Sequence, residues 1–106
     1  MVPKIINPTI VNLVKRYKTA VSEKIPVQQL IVFGSQVKGT AKPWSDIDVC
    51  VVSPQFGHDY HAERVSLMNI RNTEFVDIEP HPYHPNDLKD KWDGLAAEIR
   101  RTGIPV

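Results

Sequence analysis

The stretch LIVFGSQVKGTAKPWSDIDVCVV, residues 30–52, predicts the centre of the fold. Its two ends, residues 30–33 and 49–52, are apolar runs of the kind that form buried strands. The second run is preceded by two acids, Asp46 and Asp48, and residues at i and i+2 of a strand project from the same face. Two neighbouring carboxylates repel each other unless a cation lies between them, and a divalent metal ion is the usual cation. We therefore predict a metal site where the second strand begins.

A glycine–serine pair, Gly34 and Ser35, follows the first strand directly. Such a turn exposes backbone N–H groups and a hydroxyl at the start of a short helix, where phosphate groups bind. A metal site beside a phosphate site indicates nucleotide chemistry.

The spacing of these residues resembles a known signature. Gly34-Ser35, ten residues and then Asp46-Ile47-Asp48 resemble the GS-x10-DxD motif of the DNA polymerase beta nucleotidyltransferase superfamily. In its small size the chain resembles the minimal nucleotidyltransferases (MNT type), which are often the antitoxins of HEPN/MNT toxin–antitoxin pairs. The resemblance implies a palm-like nucleotidyltransferase fold and Mg²⁺-dependent transfer of AMP from ATP to a hydroxyl, on a partner protein such as a HEPN toxin. The alternative is a non-catalytic antitoxin that neutralises a HEPN ribonuclease by forming a complex with it.

The resemblance also implies the metal ligands. Two Mg²⁺ ions would be held by Asp46, Asp48 and a third acid on a later strand. Asp77 and Glu79 are both candidates, because both are expected on the catalytic face. The Ile-Glu-Pro-His segment that ends in His81 favours Glu79, whereas the Val-Asp-Ile pattern favours Asp77. We prefer Glu79 as the ligand, with Asp77 as a general base for the attacking group.

Four further residues are implied to bind the triphosphate. Gly34 lets it approach the backbone, Ser35 donates to a phosphate oxygen, and Lys38 neutralises its charge. A surface role explains Lys38 equally well. Ser45 either contacts phosphate or caps the turn before Asp46, and we prefer the cap.

Length and composition predict one nucleotidyltransferase domain over residues 1–106. The formal net charge of +1 gives no reason to expect direct nucleic-acid binding, and no apolar run has the length of a membrane span. The single cysteine, Cys50, cannot form an internal disulfide and lies in an apolar run, which predicts a cytoplasmic protein.

The remaining patterns predict an α/β (α+β) fold, with a small mixed sheet flanked by helices. Asn7-Pro8 begins an amphipathic helix that ends before Pro26, and residues 27–33 form a central strand. A short helix is expected over residues 36–40 and a longer one over 59–72, with Ala62, Val65 and Met68 as its apolar face.

The last third of the chain predicts one strand and one helix. Residues 74–79 alternate like a strand, and the prolines at positions 80, 82 and 85 are expected to end it. Residues 94–101 predict a short helix that stops at Gly103.

Overall fold

The computed structural model describes residues 7–42, 44–70 and 73–106. Its helices and strands are, in chain order, α1 (Pro8–Ser22), β1 (Gln29–Phe33), α2 (Ser35–Lys38), β2 (Ile47–Val52), α3 (Tyr60–Ile70), β3 (Ile78–Tyr83), α4 (Gly94–Thr102) and β4 (Ile104–Pro105). Short 3₁₀ turns lie at Thr73–Phe75 and Asp87–Lys89. The predicted class, a mixed sheet with helices around it, is confirmed.

The four strands form one sheet in the order β3-β2-β1-β4. β1 is antiparallel to both of its neighbours, whereas β2 and β3 are parallel and are connected through α3. The predicted central position of β1 is confirmed. The start of β2 therefore lies beside the end of β1 on one side and beside the start of β3 on the other.

Helices cover both faces of this sheet. One face packs against α1 and α3 in a buried cluster that includes Tyr17, Val49 and Leu67. The opposite face packs against α4 in a second cluster that includes Cys50 and Ile99. Alternation along β2 sends successive side chains into the two clusters, so the strand is buried on both faces.

The first helix begins as its sequence predicts. The side chain of Asn7 accepts a hydrogen bond of 2.8 Å from the backbone N–H of Thr9, and Pro8 occupies the first turn. The apolar stripe of α1 contributes Val14, Tyr17 and Val21 to the core, and all three are buried.

The third strand differs from its prediction. It begins at Ile78 instead of residue 74, and it runs through Pro80 and Pro82. β3 is an edge strand, and the backbone carbonyl of Tyr83 accepts from the N–H of Ser53, which extends β2. Tyr83 and every second residue before it therefore direct their backbone groups toward β2. Pro80 and Pro82 lie between these residues, so their backbone nitrogens are on the open side of the sheet, where no partner strand needs a donor.

The apolar face predicted for α3 is also wrong. Val65 and Met68 are 41% and 37% exposed, Ala62 is exposed, and the buried residue of this helix is Leu67. Asp59 does cap the helix, since its Oδ1 accepts a hydrogen bond of 3.1 Å from the N–H of Ala62. Residues 71 and 72, the predicted end of the helix, lie outside the described residues. In the described part of the chain, no helix has both the length and the apolar character needed to cross a membrane.

Candidate active site

The site lies where the parallel strands β2 and β3 begin. Asp48 is directly opposite Glu79 in their register, and Cys50 is opposite His81 two residues further on. Because side chains alternate along a strand, these four share the face of the sheet that α4 covers further along. Asp48 and Glu79 are half-buried, so two carboxylates from adjacent strands meet at a partly sheltered position.

The turn after β1 approaches Asp48 closely. Gly34 has a φ of +77°, a conformation that residues with a side chain rarely adopt, and it caps α2. A Cβ atom at this position would lie 2.6 Å from Oδ2 of Asp48. The absence of a side chain at Gly34 therefore leaves room for the Asp48 carboxylate beside the backbone that starts α2.

The other two acids predicted for the site lie at its border. Asp46 is exposed and precedes β2 by one residue. Asp77 is exposed and precedes β3, and its backbone carbonyl accepts a hydrogen bond of 2.8 Å from the N–H of Ile47. The strand register places Glu79 next to Asp48. The hydrogen bond that Asp77 makes to β2 comes from its backbone carbonyl and not from its side chain.

A histidine connects Asp48 to α3. Nε2 of His81 lies 3.4 Å from Oδ1 of Asp48, and its Nδ1 lies 3.2 Å from the hydroxyl of Tyr60. The imidazole also packs edge-on against the ring of Phe33, with centroids 5.2 Å apart. Three contacts therefore fix the orientation of His81 beside the carboxylate.

An arginine from the same helix contacts the second carboxylate. Nη2 of Arg64 donates to Oε1 of Glu79 at 2.6 Å. α3 thus places a phenol and a guanidinium on the face of the sheet that carries Asp48 and Glu79, by reaching around the edge strand.

The residues predicted to bind phosphate lie along α2 and the loop after it. Ser35 is the first residue of α2 and is half-buried. Lys38, at the other end of this helix, forms an ion pair with Glu98 of α4. Oγ of Ser45 accepts a hydrogen bond of 2.8 Å from the N–H of Lys42, so this side chain stabilises the turn before Asp46.

A family model for the nucleotidyltransferase domain matches residues 14–93 of the chain, from the middle of α1 to the loop before α4. The chain belongs to this family. Nucleotidyltransferase domains generally use a nucleoside triphosphate and a divalent metal ion, and the family supports a transferase that moves a nucleotidyl group.

The fold of this nucleotidyltransferase domain is similar to that of a solved structure. A crystal structure described as that of a "putative nucleotidyltransferase from Sulfolobus solfataricus" superposes with a TM-score of 0.63. The alignment covers 90% of this chain and 77% of the other, with 16% sequence identity, so the likeness concerns the fold. No curated protein matches the sequence significantly.

The donor chemistry of the nucleotidyltransferase site fits a hard divalent cation. Asp48 and Glu79 offer carboxylate oxygens from adjacent strands, and Asp46 adds a third within two residues of Asp48. Within residues 7–42, 44–70 and 73–106, however, no three His, Cys, Asp or Glu side chains are already gathered around a common point. Oε1 of Glu79 accepts from Arg64 instead, so a metal ion would have to share this carboxylate with the guanidinium or displace it.

Sequence reasoning missed Tyr60 and Arg64 of this nucleotidyltransferase domain. Tyr60 contacts His81, and Arg64 contacts Glu79. The two residues on the helix are four positions apart, which is a rise of about 6 Å along the helix axis. Their two partners on the strand are two positions apart, which is a similar distance of about 6.6 Å. The pairs run in opposite directions, as expected for a helix that connects two parallel strands. The sequence carries this match of spacings between the predicted helix and the acid-bearing strand, but it does not show that the two elements lie side by side.

Proposed function

We propose that the protein is a Mg²⁺-dependent nucleotidyltransferase that transfers AMP from ATP to a hydroxyl of a partner protein, with a HEPN toxin as the acceptor. The observation that carries the proposal is the pairing of Asp48 with Glu79 in register, next to a glycine turn whose backbone leaves no room for a side chain. Family membership supports the reaction class.

In this proposal Asp46, Asp48 and Glu79 hold the metal, and Gly34 and Ser35 bind the triphosphate through the start of α2. When bound, Mg²⁺ neutralises the negative charge that develops on the phosphoryl oxygens. Asp77 remains available to position the attacking hydroxyl. His81 orients the Asp48 carboxylate, because its other ring nitrogen is held by Tyr60.

A macromolecular acceptor suits the shape of the site. Asp46 is exposed, and Trp44 beside it is 78% exposed. Beyond Tyr60 the surface forms an open cleft of about 410 Å³, lined in part by Tyr83 and Asp93. A partner that docks over this open face would supply the missing wall and orient its hydroxyl for attack.

The test is the intact mass of a HEPN partner after incubation with the protein, ATP and Mg²⁺. We expect one or more added AMP groups, and we expect Asp46→Asn/Asp48→Asn to abolish the modification. Glu23→Gln/Glu74→Gln removes the same number of acids from exposed positions near α1, and this variant should modify the partner as wild type does.

The two possible roles give different results. A partner that is inhibited equally by wild type and by Asp46→Asn/Asp48→Asn, without any mass change, would reject the enzymatic proposal. That outcome would support the antitoxin that acts by forming a complex.

A further inference from the structure

A guanidinium is bound to one oxygen of the carboxylate that the proposed metal site needs. Nη2 of Arg64 lies 2.6 Å from Oε1 of Glu79, and the two side chains are 32% and 38% exposed. The ion pair between Arg16 and Glu74 is more exposed, with 55% and 42% for its side chains. Since water screens exposed pairs more strongly, the contact between Arg64 and Glu79 is the less screened of the two.

The guanidinium of Arg64 is only partly satisfied in this contact. In the described part of the chain its Nε is buried and makes no hydrogen bond, while Nη2 donates to a single oxygen of Glu79. A guanidinium carries five N–H donors in a planar fork that matches carboxylate and phosphate oxygens in pairs. A ligand with several acceptor oxygens would therefore satisfy Arg64 better than Glu79 alone does.

A metal ion and Arg64 compete for the same carboxylate. Both are cations beside one carboxylate, and Arg64 already holds its Oε1, so repulsion between the two cations makes tight binding of one weaken binding of the other. Once Glu79 binds a metal ion, Arg64 is a free cation at the edge of a face that receives a triphosphate.

We propose, on the basis of the proposed function, that Arg64 is a positioning residue that is exchanged between two anions. It holds the Glu79 carboxylate in the metal-free protein, releases it to the divalent cation and then binds the triphosphate. The exchange makes metal and nucleotide binding cooperative, because each ligand removes the competitor of the other.

The experiment measures two affinities for wild type and for Arg64→Met. Mn²⁺ serves as the probe, because carboxylate sites for Mg²⁺ also accept it, and the signal of free Mn²⁺ in electron paramagnetic resonance gives its affinity without nucleotide. We expect Arg64→Met to bind Mn²⁺ about fivefold more tightly and Mg²⁺–ATP about fivefold or more weakly. The opposite signs distinguish the exchange from a structural role, which would weaken both. Arg64→Lys, which keeps the charge without the fork, should lie between wild type and Arg64→Met in both affinities.

The matched control is Arg16→Met, which removes the same charge from the other arginine–glutamate pair. Its affinities for Mn²⁺ and for Mg²⁺–ATP should stay within about twofold of wild type. The tighter Mn²⁺ binding of Arg64→Met should persist at about 0.5 M salt, where distant charges are screened.

Unchanged or weaker Mn²⁺ binding by Arg64→Met would overturn the inference, and so would tighter Mn²⁺ binding by Arg16→Met. If wild type still transfers AMP in these cases, only the role of Arg64 is wrong, whereas a wild type that binds no Mn²⁺ and transfers no AMP would reject the proposed function as well.

Discussion

The two candidate acids for the third metal ligand differ at the scale of single residues. Glu79 lies opposite Asp48 in the strand register, and Asp77 is an exposed residue before the strand. If Glu79 holds the metal as proposed, we expect Glu79→Gln to lower kcat by about 100-fold or more at saturating Mg²⁺ and ATP, because the substitution would remove a charged ligand needed in the transition state. Asp77→Asn should lower kcat much less.

Steady-state kinetics of AMP transfer would compare the two variants, with circular dichroism to confirm that both are folded. The opposite ranking would make Asp77 the ligand. Full activity of both variants would contradict a site with three acids.

Which site residues are predictable from sequence depends on how local their signals are. Asp46 and Asp48 are two positions apart, and their alternation on a strand is a property of the backbone, so their shared face follows from the sequence. Arg64 and Tyr60 reach the site only because α3 crosses back beside β3, which short-range patterns do not encode. Lys38 was predicted at the phosphates, and its ion pair with Glu98 depends on the placement of α4.

At the scale of elements, α2 has a glycine at each end, and the two serve different purposes. Gly34 and Gly39 both have positive φ values, +77° and +75°. A Cβ at Gly34 would meet the Asp48 carboxylate, whereas a Cβ at Gly39 would meet nothing within 4 Å. We expect Gly39→Ala to cost about 1–2 kcal/mol of unfolding free energy from backbone strain alone.

Gly34→Ala should cost more than Gly39→Ala and should also weaken Mn²⁺ binding, because the added methyl displaces Asp48. Chemical denaturation and Mn²⁺ titration of both variants would test this difference. Equal losses of stability together with wild-type Mn²⁺ affinity in Gly34→Ala would show that the close approach to Asp48 has no role in the site.

Elements with local start and stop signals were predicted well. Asn7 and Pro8 begin α1, and Gly103 follows α4, as the sequence indicates. β3 was misplaced because proline excludes a strand only where its missing N–H would face a partner, and the sequence does not show that this strand lies at an edge. The stripe of Val65 and Met68 was misassigned for a related reason, since the buried side of α3 depends on how the helix packs against the sheet.

At the scale of the whole molecule, one sheet joins two buried clusters. Leu67 lies in the cluster under α1 and α3, and Cys50 lies in the cluster under α4, and both are completely buried. Burial raises the pKa of the Cys50 thiol to about 12. Folding therefore keeps this thiol protonated, whereas the thiol of the unfolded chain ionises near pH ~8.5. The contribution of Cys50 to the free energy of unfolding is constant below that pH and is lost as the pH rises toward the pKa of the folded protein.

Cys50 is the single cysteine of the chain, so its alkylation reports on opening of the α4 layer. The thiolate is the reactive form, and in the native protein near pH 8 the thiol is both covered and protonated. Alkylation then proceeds through opened molecules. If both layers unfold together, Leu67→Ala, which should cost about 2–5 kcal/mol, will speed alkylation by about 30-fold or more, although Leu67 lies on the opposite face of the sheet.

Val65→Ala is the matched control, since it truncates an exposed side chain of the same helix and should leave the alkylation rate within about twofold. The rate would be followed by mass spectrometry at pH 8, with unfolding free energies from urea denaturation of the same proteins. A Leu67→Ala variant that loses stability in urea but is alkylated at the wild-type rate would show that the α4 layer opens by itself. Asp48 lies on the same strand as Cys50, so unfolding of both layers together would mean that the packing of α3 stabilises the strand that carries the site.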